Sequence, residues 1–186
     1  MRRKAFTLIE LLIVVAIIAI LAMIAVPNFL EAQTRAKVTR VRTDFRNILV
    51  AMEAYRTDNN NYPPDGNIGT SWFNDIKPLC MLTTPIAYIT SVPTNPFFDI
   101  RRSQATDGTT GVGNYAFWGA DRHPNLLPIC FHLVSCGPNL EDDGLGGLNG
   151  PDVIGRVPNF VRRIYDPTNG VVSYGDLLCT DRGIVF

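Results

Sequence analysis

The chain has 186 residues, enough for one compact domain plus an extended element, and its 17 basic and 17 acidic side chains cancel. Three of the cations, Arg2, Arg3 and Lys4, stand before Ala5, so acids outnumber bases in the remainder. A mildly acidic body gives no electrostatic basis for non-specific nucleic-acid binding.

Residues 1–5 form a short basic segment, read as a leader peptide. From Phe6 to Val26 the sequence is FTLIELLIVVAIIAILAMIAV, interrupted only by Thr7 and Glu10. At about 1.5 Å per residue this run spans roughly 30 Å, the thickness of a bilayer's hydrocarbon core. It is apolar all round, as lipid or a fully buried bundle requires. Cations just before it hold that end on the cytoplasmic side and place the rest of the chain outside. An ordinary secretory signal has a shorter apolar region followed by a small-residue cleavage site, which is not found beyond Val26. A simple membrane anchor is the bland alternative, and Glu10 argues against it. A carboxylate within a membrane helix costs about 2.5–3.5 kcal/mol unless it is paired, protonated or near the interface.

Lys4-Ala5-Phe6-Thr7-Leu8-Ile9-Glu10 followed by the apolar run resembles the processing site of type IV pilins and type II secretion pseudopilins. The resemblance implies that a prepilin peptidase cuts between Ala5 and Phe6 and methylates the new amine. Ala5 stands where that family more often has Gly. Glu10 is then the glutamate that pairs with the Phe6 amine of a neighbouring subunit. Pro27 matches the family too, and a proline within a helix removes a donor and kinks or locally melts it. These residues divide the chain into the leader, a membrane and filament-core helix over 6–27, and a head over 28–186.

After Pro27, Val38, Val41, Phe45, Ile48, Met52 and Tyr55 recur at intervals of three and four, one apolar stripe of an amphipathic helix. Arg35, Arg42, Arg46 and Glu53 lie off it. A helix from Phe6 to about Tyr55 is roughly 75 Å long, its first half bare and its second half packed on a head. The run 59–66, NNNYPPDG, ends it. A short helix near 72–82 and a proline-bearing loop follow. Tyr62-Pro63, Tyr88 and then Pro93-x-x-Pro96-Phe97 are similar to the major pseudopilin of type II secretion.

Runs at 114–118, 129–135, 160–165 and 171–179 are rich in strand formers and bounded by Gly, Pro, Asn and Asp, the pattern of an antiparallel meander. Residues 166–170, DPTNG, form a turn before the last strand. The expected fold is α+β, a long N-terminal helix carrying a small antiparallel sheet.

Cys80, Cys130, Cys136 and Cys179 include no CxxC pair; disulfides and buried free thiols both stay open. The loop from Ser135 to Asp152 resembles the calcium-holding loop of the major pseudopilin. On that resemblance Asp142, Asp143 and Asp152 supply carboxylates to calcium, with further oxygens from Leu140 or Ser135. With only His123 and His132 and no phosphate loop or nucleophile motif, no catalytic constellation is readable. His132 reads as a packed strand residue, and Tyr115, Phe117 and Trp118 as core or subunit contacts.

The resemblance implies a structural subunit of a type II secretion pseudopilus, or alternatively the major pilin of a surface type IV pilus. It implies as partners further copies of the chain, the prepilin peptidase, minor pseudopilins and an inner-membrane assembly platform. The expected location is the inner membrane, single-pass with the head in the periplasm, before assembly into a filament.

Overall fold

The computed structural model describes residues 6–64, 77–97, 115–119, 131–140, 164–166, 168 and 175–185. Helix α1 runs from Leu8 to Asn59 without interruption, about 78 Å of rod. Thr7 caps its start in extended conformation, and Asn60 in the left-handed region (φ 56°) closes its end. Pro27 lies inside the helix and does not melt it. It leaves the Met23 carbonyl without its usual donor, a modest loss that uninterrupted helix on both sides outweighs.

The two halves of α1 differ completely in burial. Every residue from Phe6 to Leu30 is exposed, whereas Val38, Val41, Phe45, Ile48, Ala51 and Met52 are buried, with Tyr55 half-buried beside them. The apolar stripe is thus the packing face, and Ala51 belongs to it as well.

Past the helix, α2 spans Lys77–Cys80, within the expected short helix. Strands β1 (Ala116–Gly119), β2 (Phe131–Ser135), β3 (Leu177–Thr180) and β4 (Gly183–Val185) form one antiparallel sheet in the order β1-β2-β3-β4. Val134 pairs with Ala116 on one side and Leu178 on the other, which fixes the register of the middle strands. β2 and β3 are buried at every residue, so both of their faces are covered and they show no alternation. β4 lies against α1. Phe45 meets Tyr115 edge-on at 5.1 Å between ring centres, and Phe131 is flanked by Tyr62 at 4.8 Å and Phe117 at 5.9 Å.

Of the strand expected over 160–165, residues 160–163 lie outside the described set, and Ile164 makes a parallel bridge to Asp176. The strand expected over 171–179 begins at Leu177. β4, which sequence reading did not foresee, follows through Asp181-Arg182. Thr180 Oγ1 accepts the Arg182 N–H at 3.2 Å, and Gly183 turns the chain at φ +122°.

Ile164, Gly175 and Gly137 meet in a junction of bare backbone. A Cβ on Gly137 would lie 2.0 Å from the Gly175 carbonyl oxygen, and one on Gly175 would lie 2.4 Å from the Ile164 carbonyl carbon. Gly175 also has φ +117°, which L side chains avoid.

Candidate functional site

The N-terminal site is built on the first turn of α1. Thr7-x-x-Glu10 is a capping box: the Glu10 N–H donates to Thr7 Oγ1 at 3.2 Å, and Glu10 Oε2 accepts both the Thr7 N–H and the Thr7 hydroxyl at 2.8 Å. The Glu10 carboxylate therefore turns back along the helix, one residue from Phe6. Phe6 is 72% exposed and Ala5 lies outside the described residues, so the Ala5–Phe6 junction is seen from one side only. Sequence reading weighed Glu10 for its charge and passed over Thr7, although Thr-x-x-Glu ahead of an apolar run is itself a legible helix-start signal.

Beyond this turn α1 is long and apolar enough to cross a membrane, and none of its most apolar stretch is buried within the chain. Bare Ile, Leu, Val and Met along 25 residues need lipid or other helices around them.

The head is tied to the lower helix by three tyrosines, each donating to an acid of α1. Tyr115 donates to Asp44 Oδ2 at 2.6 Å. Tyr62 donates to Glu53 Oε1 at 2.6 Å and accepts from Arg56 at 3.1 Å. Tyr88 donates to Asp58 Oδ2 at 2.8 Å while its ring meets Tyr55 edge-on at 5.6 Å. The Pro-x-x-Pro-Phe segment is anchored by Asn95, which is buried and whose side-chain oxygen accepts from the Phe97 N–H (3.0 Å) and the Ser135 hydroxyl (2.9 Å). Phe97 joins the core, and Lys37 lies over its ring at 5.8 Å. Tyr62, Tyr88 and the proline loop are thus head-to-helix fastenings.

Burial, reinforced by the Glu53 carboxylate, pushes the Tyr62 phenol up to about 12, and burial with Asp44 pushes Tyr115 up as well. The neutral phenol is the form the fold prefers. Its contribution is intact below the ordinary tyrosine value near 10 and is lost as pH rises through the folded values. Near-ultraviolet circular dichroism of the head should collapse between about pH 10 and 12 as phenolate absorbance rises. An unchanged signal through that window would refute the fastening role.

Ser135, expected as an oxygen donor to calcium, turns its buried hydroxyl towards Asn95. Leu140 closes a turn on the Gly137 carbonyl at 3.0 Å, with φ 59°. Asp142, Asp143 and Asp152 lie outside the described residues, and among the described ones no three His, Cys, Asp or Glu converge as metal ligands. Cys80 and Cys179 are free thiols, and Cys136 is buried; burial, then the Asp181 charge, pushes Cys179 up to about 12, so it stays protonated and inert. Cys130 and His123 lie outside the described set, and His132 is a buried strand residue.

Residues 1–26 match the family model of the prokaryotic N-terminal methylation motif. The chain is 52% identical over 59 residues to the type IV wide pilus major component PilA4 of Thermus thermophilus, covering 32% of this chain and 45% of that protein. It is 40% identical over 62 residues to the type II secretion system core protein G of Pseudomonas aeruginosa, covering 33% and 44%. With core protein G of Escherichia coli the match is 28% over 99 residues, covering 52% of this chain and 68% of the relative. The chain thus spans less than half the length of the first two. No solved structure matches it. The N-terminal part of the chain is thus similar both to type IV pilins and to type II secretion core protein G.

Proposed function

We propose that the chain is a structural subunit of a type II secretion pseudopilus, cut before Phe6 and assembled into a helical filament that helps export folded proteins. The observation that carries this reading is one continuous helix, bare from Phe6 to Leu30 and packed into a head from Val38 onward. A bare apolar rod is soluble only in lipid or among its copies. A head-to-tail contact between such rods does not close on itself, so it propagates. Before assembly the rod holds the subunit in the inner membrane with the head in the periplasm. Pairing of Glu10 with the Phe6 amine of the next copy sets the register, because a carboxylate and an ammonium together tolerate an apolar core that neither tolerates alone.

The Tyr62-Pro63, Tyr88 and Pro93-x-x-Pro96-Phe97 fastenings and the longer match to a core protein G support the secretion branch. The higher identity to a pilus component supports a second reading, the major pilin of a surface type IV pilus. Mass spectrometry of the mature N-terminus tests what the two readings share: the expected start is methylated Phe6, and a retained Met1 would overturn both. A deletion strain then separates them, by lost export of folded proteins or by lost surface fibres.

We also propose, on the family resemblance, that Asp142, Asp143 and Asp152 hold calcium. Excess chelator should then lower the melting temperature of the full chain in detergent by several degrees, since a ligand at about 100 times its Kd stabilises by about 2.7 kcal/mol. No shift would remove calcium from this reading.

A further inference from the structure

Residues 1–5, MRRKA, contain neither Pro nor Gly, and Arg2, Arg3, Lys4 and Ala5 are all strong helix formers. Propensity alone would let α1 run backwards through Phe6 into the leader. The helix instead begins at Leu8. Thr7 is extended at φ −85° and ψ 149°, and Phe6 lies outside the helix and exposed. What stops α1 here is the capping box between Thr7 and Glu10.

The box works by diverting donors. In a helix one turn longer, the Glu10 N–H would bond the Phe6 carbonyl, four residues back. It donates to Thr7 Oγ1 at 3.2 Å instead. The Thr7 N–H is likewise taken, by Glu10 Oε2 at 2.8 Å. The helical ladder then opens with the Leu11 N–H on the Thr7 carbonyl at 3.3 Å. In the longer helix the Ile9 N–H would bond the Ala5 carbonyl. That carbonyl is the one attacked when the chain is cut before Phe6. Water gives its hydroxyl to the Ala5 carbonyl carbon, the Ala5–Phe6 bond breaks, and the water's other proton goes to the departing Phe6 nitrogen.

Resting on the reading that the chain is cut before Phe6, we propose that Thr7 is the positioning residue for that cut. Its cap ends α1 just short of the scissile bond, so the bond reaches the peptidase as free main chain. Recognition of an extended segment relies on main-chain hydrogen bonds, which a helix uses internally. The match of residues 1–26 to an N-terminal methylation motif supports chemistry at this junction, since Phe6 has an amine to methylate only after the cut. Cleavage of a segment that opens and closes quickly tracks the population of its open form. Replacing a threonine cap by an apolar residue shifts a helix-start equilibrium about five-fold, and the rate follows.

The test follows loss of residues 1–5 by mass spectrometry, using the full chain in detergent with membranes containing a prepilin peptidase. Thr7→Val should lower kcat/KM about five-fold, whereas Thr7→Ser and Thr7→Asn, which also cap, should keep the parent value. Ala5→Gly puts a poor helix former at the cut. It should accelerate the Thr7→Val chain several-fold more than it accelerates the parent. A Thr7→Val chain cut at the parent rate would overturn the proposal. So would serine and asparagine variants as slow as valine, because the peptidase would then be reading threonine itself. An Ala5→Gly gain equal in both backgrounds would assign the effect to the size of residue 5 and equally overturn it. A parent chain that keeps residues 1–5 refutes cutting before Phe6, whereas a parent that is cut, with variants indifferent to the cap, refutes the role of Thr7 alone.

Discussion

Gly137→Ala is expected to lower the melting temperature of the full chain by roughly 10 °C or more. The added Cβ would fall 2.0 Å from the Gly175 carbonyl oxygen, inside any tolerable contact. The obstacle is backbone, so no rotamer change relieves it. Gly175 cannot retreat, because its own Cα position is pressed against the Ile164 carbonyl at the Ile164–Asp176 bridge. The Tyr165 N–H donates to the Asp176 carbonyl at 2.9 Å across the same junction. Pushing β2's exit away from β3's entry would break both. A cost of about 3–5 kcal/mol is a large part of a domain's total stability. Gly183→Ala is the control: it has a positive φ of +122° but nothing within 4 Å of its Cβ, so only backbone strain of about 1–2 kcal/mol is expected. Thermal melts of both variants in detergent, followed by near-ultraviolet circular dichroism, check this. Equal effects would mean that the close approach of the two glycines is unimportant.

Glu10→Ala and Glu10→Gln should each cut filament yield by about two orders of magnitude while leaving the subunit in the membrane. The argument is one of magnitudes. As the partner of Thr7 in a capping box, Glu10 contributes to helix initiation, an effect typically worth about 1 kcal/mol. A carboxylate among apolar helices costs more than that, about 2.5–3.5 kcal/mol on insertion scales. The cap alone therefore does not explain an acid at this position; the proposed pairing with the Phe6 amine of a neighbouring copy would. Removing one partner of such a buried pair costs about 3–5 kcal/mol per contact. The glutamine variant separates the two roles, since its side-chain oxygen still accepts the Thr7 N–H but carries no charge. Electron microscopy of sheared filaments and membrane fractionation provide the readouts. Full assembly of the glutamine variant would reduce Glu10 to a helix cap. Intact assembly of both variants would favour a simple membrane anchor.

The contrast between these two sites shows where residue order suffices. The rod was legible because its signals are local: an apolar run of bilayer length, a three-four stripe from Val38 to Tyr55, and an Asn-rich stop that becomes the Asn60 cap. β1 and β2 were located to within two residues by their aromatic and branched runs. The third strand starts later than its expected run and the fourth was not foreseen, because both are set by neighbours. Leu177–Thr180 is buried on both faces and shows no alternation, and Gly183–Val185 is too short to carry a period. Pro27, read as a kink or local melt within a continuing helix, lies inside an uninterrupted one.

By its sequence alone the chain determines a bare apolar rod with an acid near its start, because helix periodicity, length and charge are properties of adjacent residues. Only the tertiary structure decides how the head is fastened to that rod. Tyr115 reaches Asp44, Asn95 reaches Ser135, and Gly137 meets Gly175 across separations that no local pattern encodes. The physical reason is that a hydrogen bond or close backbone approach depends on where packing brings two distant segments, and packing is a property of the whole core.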